Sequence, residues 1–180
     1  MVLSFFLLYM RFHKLESFYI VNKVKEHKKI KSKLLKLINK IPKSPLETIS
    51  HTDWKLPKEY KREYLDFFYQ SITPYMNLIS NEFKTIRWTI HNGWFQQYTV
   101  NNEHDWHIHN NANYSNVYYL ELPNKEMTTK FKGLNNEIIN INAEEGDLVT
   151  FPAHMLHKSE PIKGKKRKTI ISFNSDFYFE

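Results

Sequence analysis

The stretch Gly146-Asp147-Leu148-Val149-Thr150-Phe151-Pro152-Ala153-His154-Met155-Leu156-His157 reads as a turn, a short strand rich in β-branched and aromatic residues, and a loop ending in histidine. Upstream of it, His107-Ile108-His109 sets two imidazoles two residues apart. On a strand such residues face the same way, so both can reach one ion. Five of the nine histidines fall between His104 and His157. His157 is therefore the expected third ligand, with His154 behind it.

A basic strand follows. Ten residues after His157 comes Arg167, and alternation puts Arg167 and Thr169 on one face. A guanidinium beside a hydroxyl suits a carboxylate, because arginine offers a planar fork of donors and threonine adds one more. The same arginine also belongs to the basic run Lys163 to Lys168, which reads equally well as solvated surface.

Short runs of strand character frame these segments: Thr85 to Tyr98, Val117 to Leu122, Ile138 to Ile141, Leu148 to Phe151 and Thr169 to Phe173. Turn signals separate them at Pro123-Asn124, Gly133, Asn135-Asn136 and Glu145-Gly146-Asp147, which predicts a sandwich or barrel. The N-terminal half has another period. Ile30, Leu34, Leu37, Ile38 and Ile41 recur at helical spacing with lysines between them, predicting an amphipathic helix within Lys23 to Ile41 that Pro42 ends. Pro42 to Pro57, with Pro45 and Ser50-His51-Thr52-Asp53, reads as a connector. From Lys58 to about Phe83 helical spacing returns, and Pro74 is expected to break or kink it. The expected division is a helical extension over 1–83 packed on a β core over 84–180, the two forming one structural domain.

Composition narrows the chemistry. A chain of 180 residues suits one domain, and 16% aromatic residues against four glycines predict an interior of Phe, Tyr and Trp. Cysteine is absent, which excludes disulfides, thiolate metal sites, iron–sulfur clusters and a cysteine nucleophile. Nitrogen and oxygen ligands remain. The net charge of +7 is concentrated in Arg11 to Lys43, where eleven Lys or Arg stand against Glu16 and Glu26. That segment reads as a solvated helix face, with nucleic-acid contact as the alternative. Met1 to Met10 is almost wholly apolar but shorter than the ~20 residues that span a bilayer. Arg11-Phe12-His13-Lys14 follows where a signal peptide would carry a small-residue cleavage site, so a cytoplasmic protein is expected, with Met10 as an alternative start.

Taken in order, Tyr98, His107-Ile108-His109, Gly146-Asp147, His157 and Arg167-Lys168-Thr169 resemble the iron(II)- and 2-oxoglutarate-dependent oxygenases over about Trp94 to Asn174. Ser115-Asn116-Val117-Tyr118-Tyr119-Leu120, and Phe151-Pro152 leading to His157, are similar to elements of the small bacterial and phage members that carry His-X-His. The resemblance implies an α+β chain: a double-stranded β-helix (jelly-roll, cupin-like) core with N-terminal helices packed outside it. It implies iron(II) on His107, His109 and His157, and a 2-oxoglutarate whose distal carboxylate is held by Arg167 and Thr169, helped by Tyr98. Tyr98 lies nine residues before His107, as a tyrosine does in the prolyl 4-hydroxylase branch. The implied reaction hydroxylates a small-molecule or peptide substrate while 2-oxoglutarate is decarboxylated to succinate. Trp94, Trp106 and Tyr119 are candidates for the substrate side, with core packing as their other reading. His104 stands where prolyl hydroxylases tend to carry a second tyrosine.

One position departs from that pattern, because His109 replaces the usual carboxylate of the facial triad. Three readings follow: a three-histidine site with one more positive charge, a non-ligand His109 that leaves a position for water or an anion, or Asp105, which shares the face of His107 but precedes it. A cupin-like metal protein that does not use 2-oxoglutarate and a non-catalytic basic binding module are the rival functions.

Overall fold

Ten strands, two helices and one short 3-10 turn make up a computed structural model that describes residues 15–43 and 49–180. The apolar run Met1 to Met10 and the connector's Pro45 lie outside the described residues. In chain order come β1 (Ile20–Lys23), α1 (His27–Ile38), β2 (His51–Thr52), α2 (Glu63–Phe83), β3 (Arg87–Tyr98), β4 (His104–His107) and β5 (Tyr114–Glu121). The 3-10 turn (Lys125–Met127), β6 (Lys130–Lys132), β7 (Ile138–Asn140), β8 (Asp147–Pro152), β9 (His157–Ser159) and β10 (Lys168–Tyr178) complete it. The strands form a six-stranded sheet, β1-β8-β5-β10-β3-β2, and a four-stranded sheet, β4-β9-β6-β7. Every ladder between named strands is antiparallel, and the architecture is a jelly roll.

Side-chain alternation on the large sheet builds two cores. On β5, Tyr118 and Leu120 join Leu34, Ile38, Phe68, Ile72 and Met76 in a cluster shared with both helices. Val117 and Tyr119 point the other way, to Phe131, Val149 and Phe151 between the sheets. Ile171 and Phe173 of β10 enter the first cluster and Ile170 the second. A strand buried on both faces shows no alternation of polar and apolar residues, and Val117 to Leu120 of β5 run apolar without a break.

The helices follow their hydrophobic period, with one difference. Pro74 neither breaks nor ends α2, which runs through it from Glu63 to Phe83. Phe68, Ile72, Met76 and Ile79 keep one continuous buried face on both sides of the proline, and that packing outweighs the lost hydrogen bond. The segments before residue 84 also supply sheet: β1 pairs with β8 and β2 with β3. Neither was expected, since strands of four and two residues carry almost no periodicity.

The connector between the helices is pinned by Asp53, whose side chain is fully buried. Its carboxylate accepts hydrogen bonds from Arg62 Nε (2.9 Å), Tyr64 Oη (2.8 Å) and the Phe95 backbone N–H (3.1 Å). Burial pushes the Asp53 carboxyl upward, and the bonds from Tyr64 and Phe95 oppose that shift. Arg62→Ala is expected to cost about 3 kcal/mol, because it strands a buried carboxylate without its cation. Chemical denaturation measures this directly, and a loss below about 1 kcal/mol would show that Tyr64 and Phe95 suffice.

Candidate metal and cosubstrate site

β4 and β9 are antiparallel neighbours with His107 opposite His157, and His109 follows β4 by two residues. The imidazole nitrogens that His107, His109 and His157 offer all lie within 4.8 Å of one another. His107 Nδ1 lies 2.7 Å from the Asp105 carbonyl oxygen and His157 Nδ1 lies 2.8 Å from that of Met155. A carbonyl only accepts, so in both rings the proton sits on Nδ1 and Nε2 carries the lone pair a metal needs. His109 has no such carbonyl; its Nδ1 faces the Asn174 amide at 3.5 Å.

Burial keeps the cluster neutral. It lowers His107 below the ordinary histidine value, His109 to about 4, and His157 to about 3, with the neighbouring imidazoles adding to the shift in the last two. Neutral nitrogen donors converging from two strands fit a borderline divalent ion such as iron(II). His104, also lowered by burial to about 4, stacks on His107 with ring centres 3.8 Å apart. His154 is exposed and stands outside the cluster. Asp105 serves through its backbone carbonyl, while its carboxylate accepts from the Trp106 N–H.

The histidines line a narrow cleft together with Trp94, Gln96, Tyr98 and Ser159. The expected anion-binding pair lies against a carboxylate of the protein itself. Arg167 and Thr169 do share a face, but Glu121 of β5 already occupies it. Arg167 grips that carboxylate through Nε (2.8 Å) and Nη2 (3.0 Å), and the Thr169 hydroxyl donates to it as well. Neither residue is part of the cavity wall.

The residue between them turns inward. Lys168 is fully buried, its Nζ donates to Ser159 Oγ at 2.9 Å, and it lies 5.2 Å from the ring centre of Tyr98. Among the described residues it has no carboxylate partner. Burial, helped by nearby Lys130, pushes its ammonium down to about 7. Lys168, like Arg167 and Thr169, is not in the cavity wall, but Ser159 and Tyr98, against which it lies, both are. On β10, Lys168 is in phase with Ile170 and Ser172, which line the cavity, a phase the sequence does not reveal because both faces of the strand are buried.

Of the aromatic candidates, Trp94 lines the cavity and tilts against His109 at 5.6 Å between ring centres. Tyr119 is fully buried, its hydroxyl bonded to Thr129 and its pKa pushed up to about 12 by burial. Trp106 is not in the wall and lies between the ammonium groups of Lys158 (5.0 Å) and Lys132 (5.7 Å). Tyr98 lines the cavity, almost completely buried.

No family model and no curated protein matches this chain by sequence. Its fold is similar to that of viral collagen prolyl hydroxylase vCPH from Paramecium bursaria Chlorella virus-1 in complex with 2-oxoglutarate, at 15% identity over 90% of this chain and 96% of that one, TM-score 0.57. A 2OG-Fe(II) oxygenase family oxidoreductase from Burkholderia pseudomallei matches at 9% identity over 87% and 83%, TM-score 0.68. HygX from Streptomyces hygroscopicus with nickel, 2-oxoglutarate and hygromycin B bound matches at 10% identity over 87% and 82%, TM-score 0.63.

Proposed function

We propose that this chain is a non-haem iron(II)- and 2-oxoglutarate-dependent dioxygenase that hydroxylates a small-molecule or peptide substrate in the cytoplasm. The observation that carries the reading is a cavity with three converging neutral histidines and, behind its wall residues Ser159 and Tyr98, a buried lysine that has no carboxylate partner among the described residues. In this reading 84–180 is the catalytic core, and the helices of 1–83 buttress the large sheet from its other side.

His107, His109 and His157 would hold the iron, which when bound supplies oxygen activation coupled to decarboxylation of 2-oxoglutarate to succinate and carbon dioxide. The chain's own residues do the rest. Asp105 and Met155 carbonyls fix two ligand tautomers. Lys168 holds the distal carboxylate of the cosubstrate, with Ser159 and Tyr98 beside it. Phe151 and Ile170 in the wall exclude water. Trp94, next to His109, bounds the substrate side. A cupin-like metal protein that makes no use of 2-oxoglutarate gives Lys168 no purpose, since its burial is costly in the absence of an anion.

Arg167 provides a contrast. Arg167→Ala is expected to leave 2-oxoglutarate affinity within about twofold and to cost at most about 1 kcal/mol of stability, because the Glu121 pair is partly exposed. A larger affinity loss in calorimetry would return the carboxylate to Arg167. The direct test of the function is succinate release from iron-loaded protein given oxygen and 2-oxoglutarate. Turnover that His157→Ala abolishes supports the proposal; equal turnover in His157→Ala, or none with both iron and cosubstrate bound, contradicts it.

A further inference from the structure

α1 carries more charge than its fold needs. Lys29, Lys33, Lys36 and Lys40 follow one another at steps of four, three and four residues, which lines them along one ridge that continues just past the helix end, with Lys28 beside it. Ile30, Leu34 and Ile38 fix the opposite face in the core, so the helix cannot roll to hide the row. Lys28, Lys29, Lys36 and Lys40 are exposed and, among the described residues, make no ion pair. Lys33 lies over the Phe67 ring at 3.8 Å. No acidic residue stands in the first turn, where Lys28 and Lys29 oppose the helix dipole. Like charges one turn apart destabilise a helix, so the row works against the element that displays it.

We infer that this ridge is a docking surface for the phosphate backbone of a nucleic acid. A linear row of exposed ammonium groups, without ion pairs among the described residues, complements a linear polyanion, whose phosphates would relieve the repulsion along α1. A lipid surface fits less well, because a membrane-seeking helix sets apolar side chains beside its lysines, and none of the exposed large apolar residues belongs to α1. The surface is separate from the metal and cosubstrate cavity. α1 packs in the cluster on the helical side of the large sheet, whereas the cavity opens between the two sheets. The inference therefore stands whether or not the oxygenase reading does.

The test is fluorescence anisotropy of a short fluorescein-labelled DNA duplex with the full-length protein, repeated across salt. Four phosphate contacts predict roughly a hundredfold loss of affinity between about 50 and 200 mM salt. Replacing Lys28, Lys29, Lys36 and Lys40 together by Gln should flatten the slope of log affinity against log salt by about three to four. A control with Lys163, Lys165 and Lys166 changed to Gln, exposed lysines outside α1, should keep most of the slope. Absence of binding at the lowest salt, equal loss in the control, or a preference for phosphatidylserine vesicles over the duplex would overturn the assignment.

Discussion

Lys168→Met is expected to abolish 2-oxoglutarate binding while making the metal-free protein more stable. Removing one partner of a buried, hydrogen-bonded charge pair costs 2–5 kcal/mol or more, so calorimetry should show affinity falling on the order of a hundredfold or beyond. The stability gain has a separate origin. Methionine fills similar volume without an ammonium to desolvate, and Lys168 has no carboxylate partner among the described residues. The gain should be on the order of 2 kcal/mol at neutral pH, or roughly 4–8 °C in Tm. The sign of its pH dependence follows from the shift. The Lys168 pKa falls from the ordinary 10.5 to about 7 in the folded chain, so the unfolded chain binds the proton more tightly. The penalty is complete below about 7 and fades as pH rises toward 10.5, so wild-type stability should climb across that window relative to Lys168→Met. A variant less stable than the wild type, or one that keeps its cosubstrate affinity, would place the anion site elsewhere.

His157→Ala should lose iron, and cosubstrate with it. His157 is the most deeply buried of the three candidate ligands, and its tautomer is fixed by the Met155 carbonyl. The loss of iron affinity should exceed the roughly 10–100-fold that removing an outer hydrogen-bond partner costs. His109→Asp, which restores the carboxylate usual at that position, should keep iron and remove one positive charge from the site. Metal content after dialysis against a competing chelator reads both. Iron retained by His157→Ala would remove this histidine from the centre, and iron lost by His109→Asp would mean that the imidazole of His109 has a role a carboxylate cannot fill.

The sequence is informative where one face of an element is wet and ambiguous where both are dry. The helices were legible because Ile30, Leu34 and Ile38 repeat against exposed lysines. The histidine cluster was legible because residues two apart on a strand share a face and His157 closes a turn-strand-loop unit. Arg167 and Lys168 could not be told apart that way, since β10 is buried on both faces and its pattern carries no parity. What distinguishes their surroundings is Glu121, whose pairing opposite Thr169 depends on how β5 registers against β10. The same holds for Asp53: a polar residue in a connector reads as surface until β3 and α2 close over it. At Pro74 the helix continues unbroken because local propensity is overruled by a helix face buried on both sides of it.

One site is proposed to bind iron(II) and 2-oxoglutarate together. Anaerobic titration of the iron(II)-loaded protein with 2-oxoglutarate, followed in the visible spectrum, tests it most directly. A weak charge-transfer band is expected that grows to saturation, is retained in Arg167→Ala and is lost at comparable concentrations in Lys168→Met. Iron bound with no band at any 2-oxoglutarate concentration would contradict it.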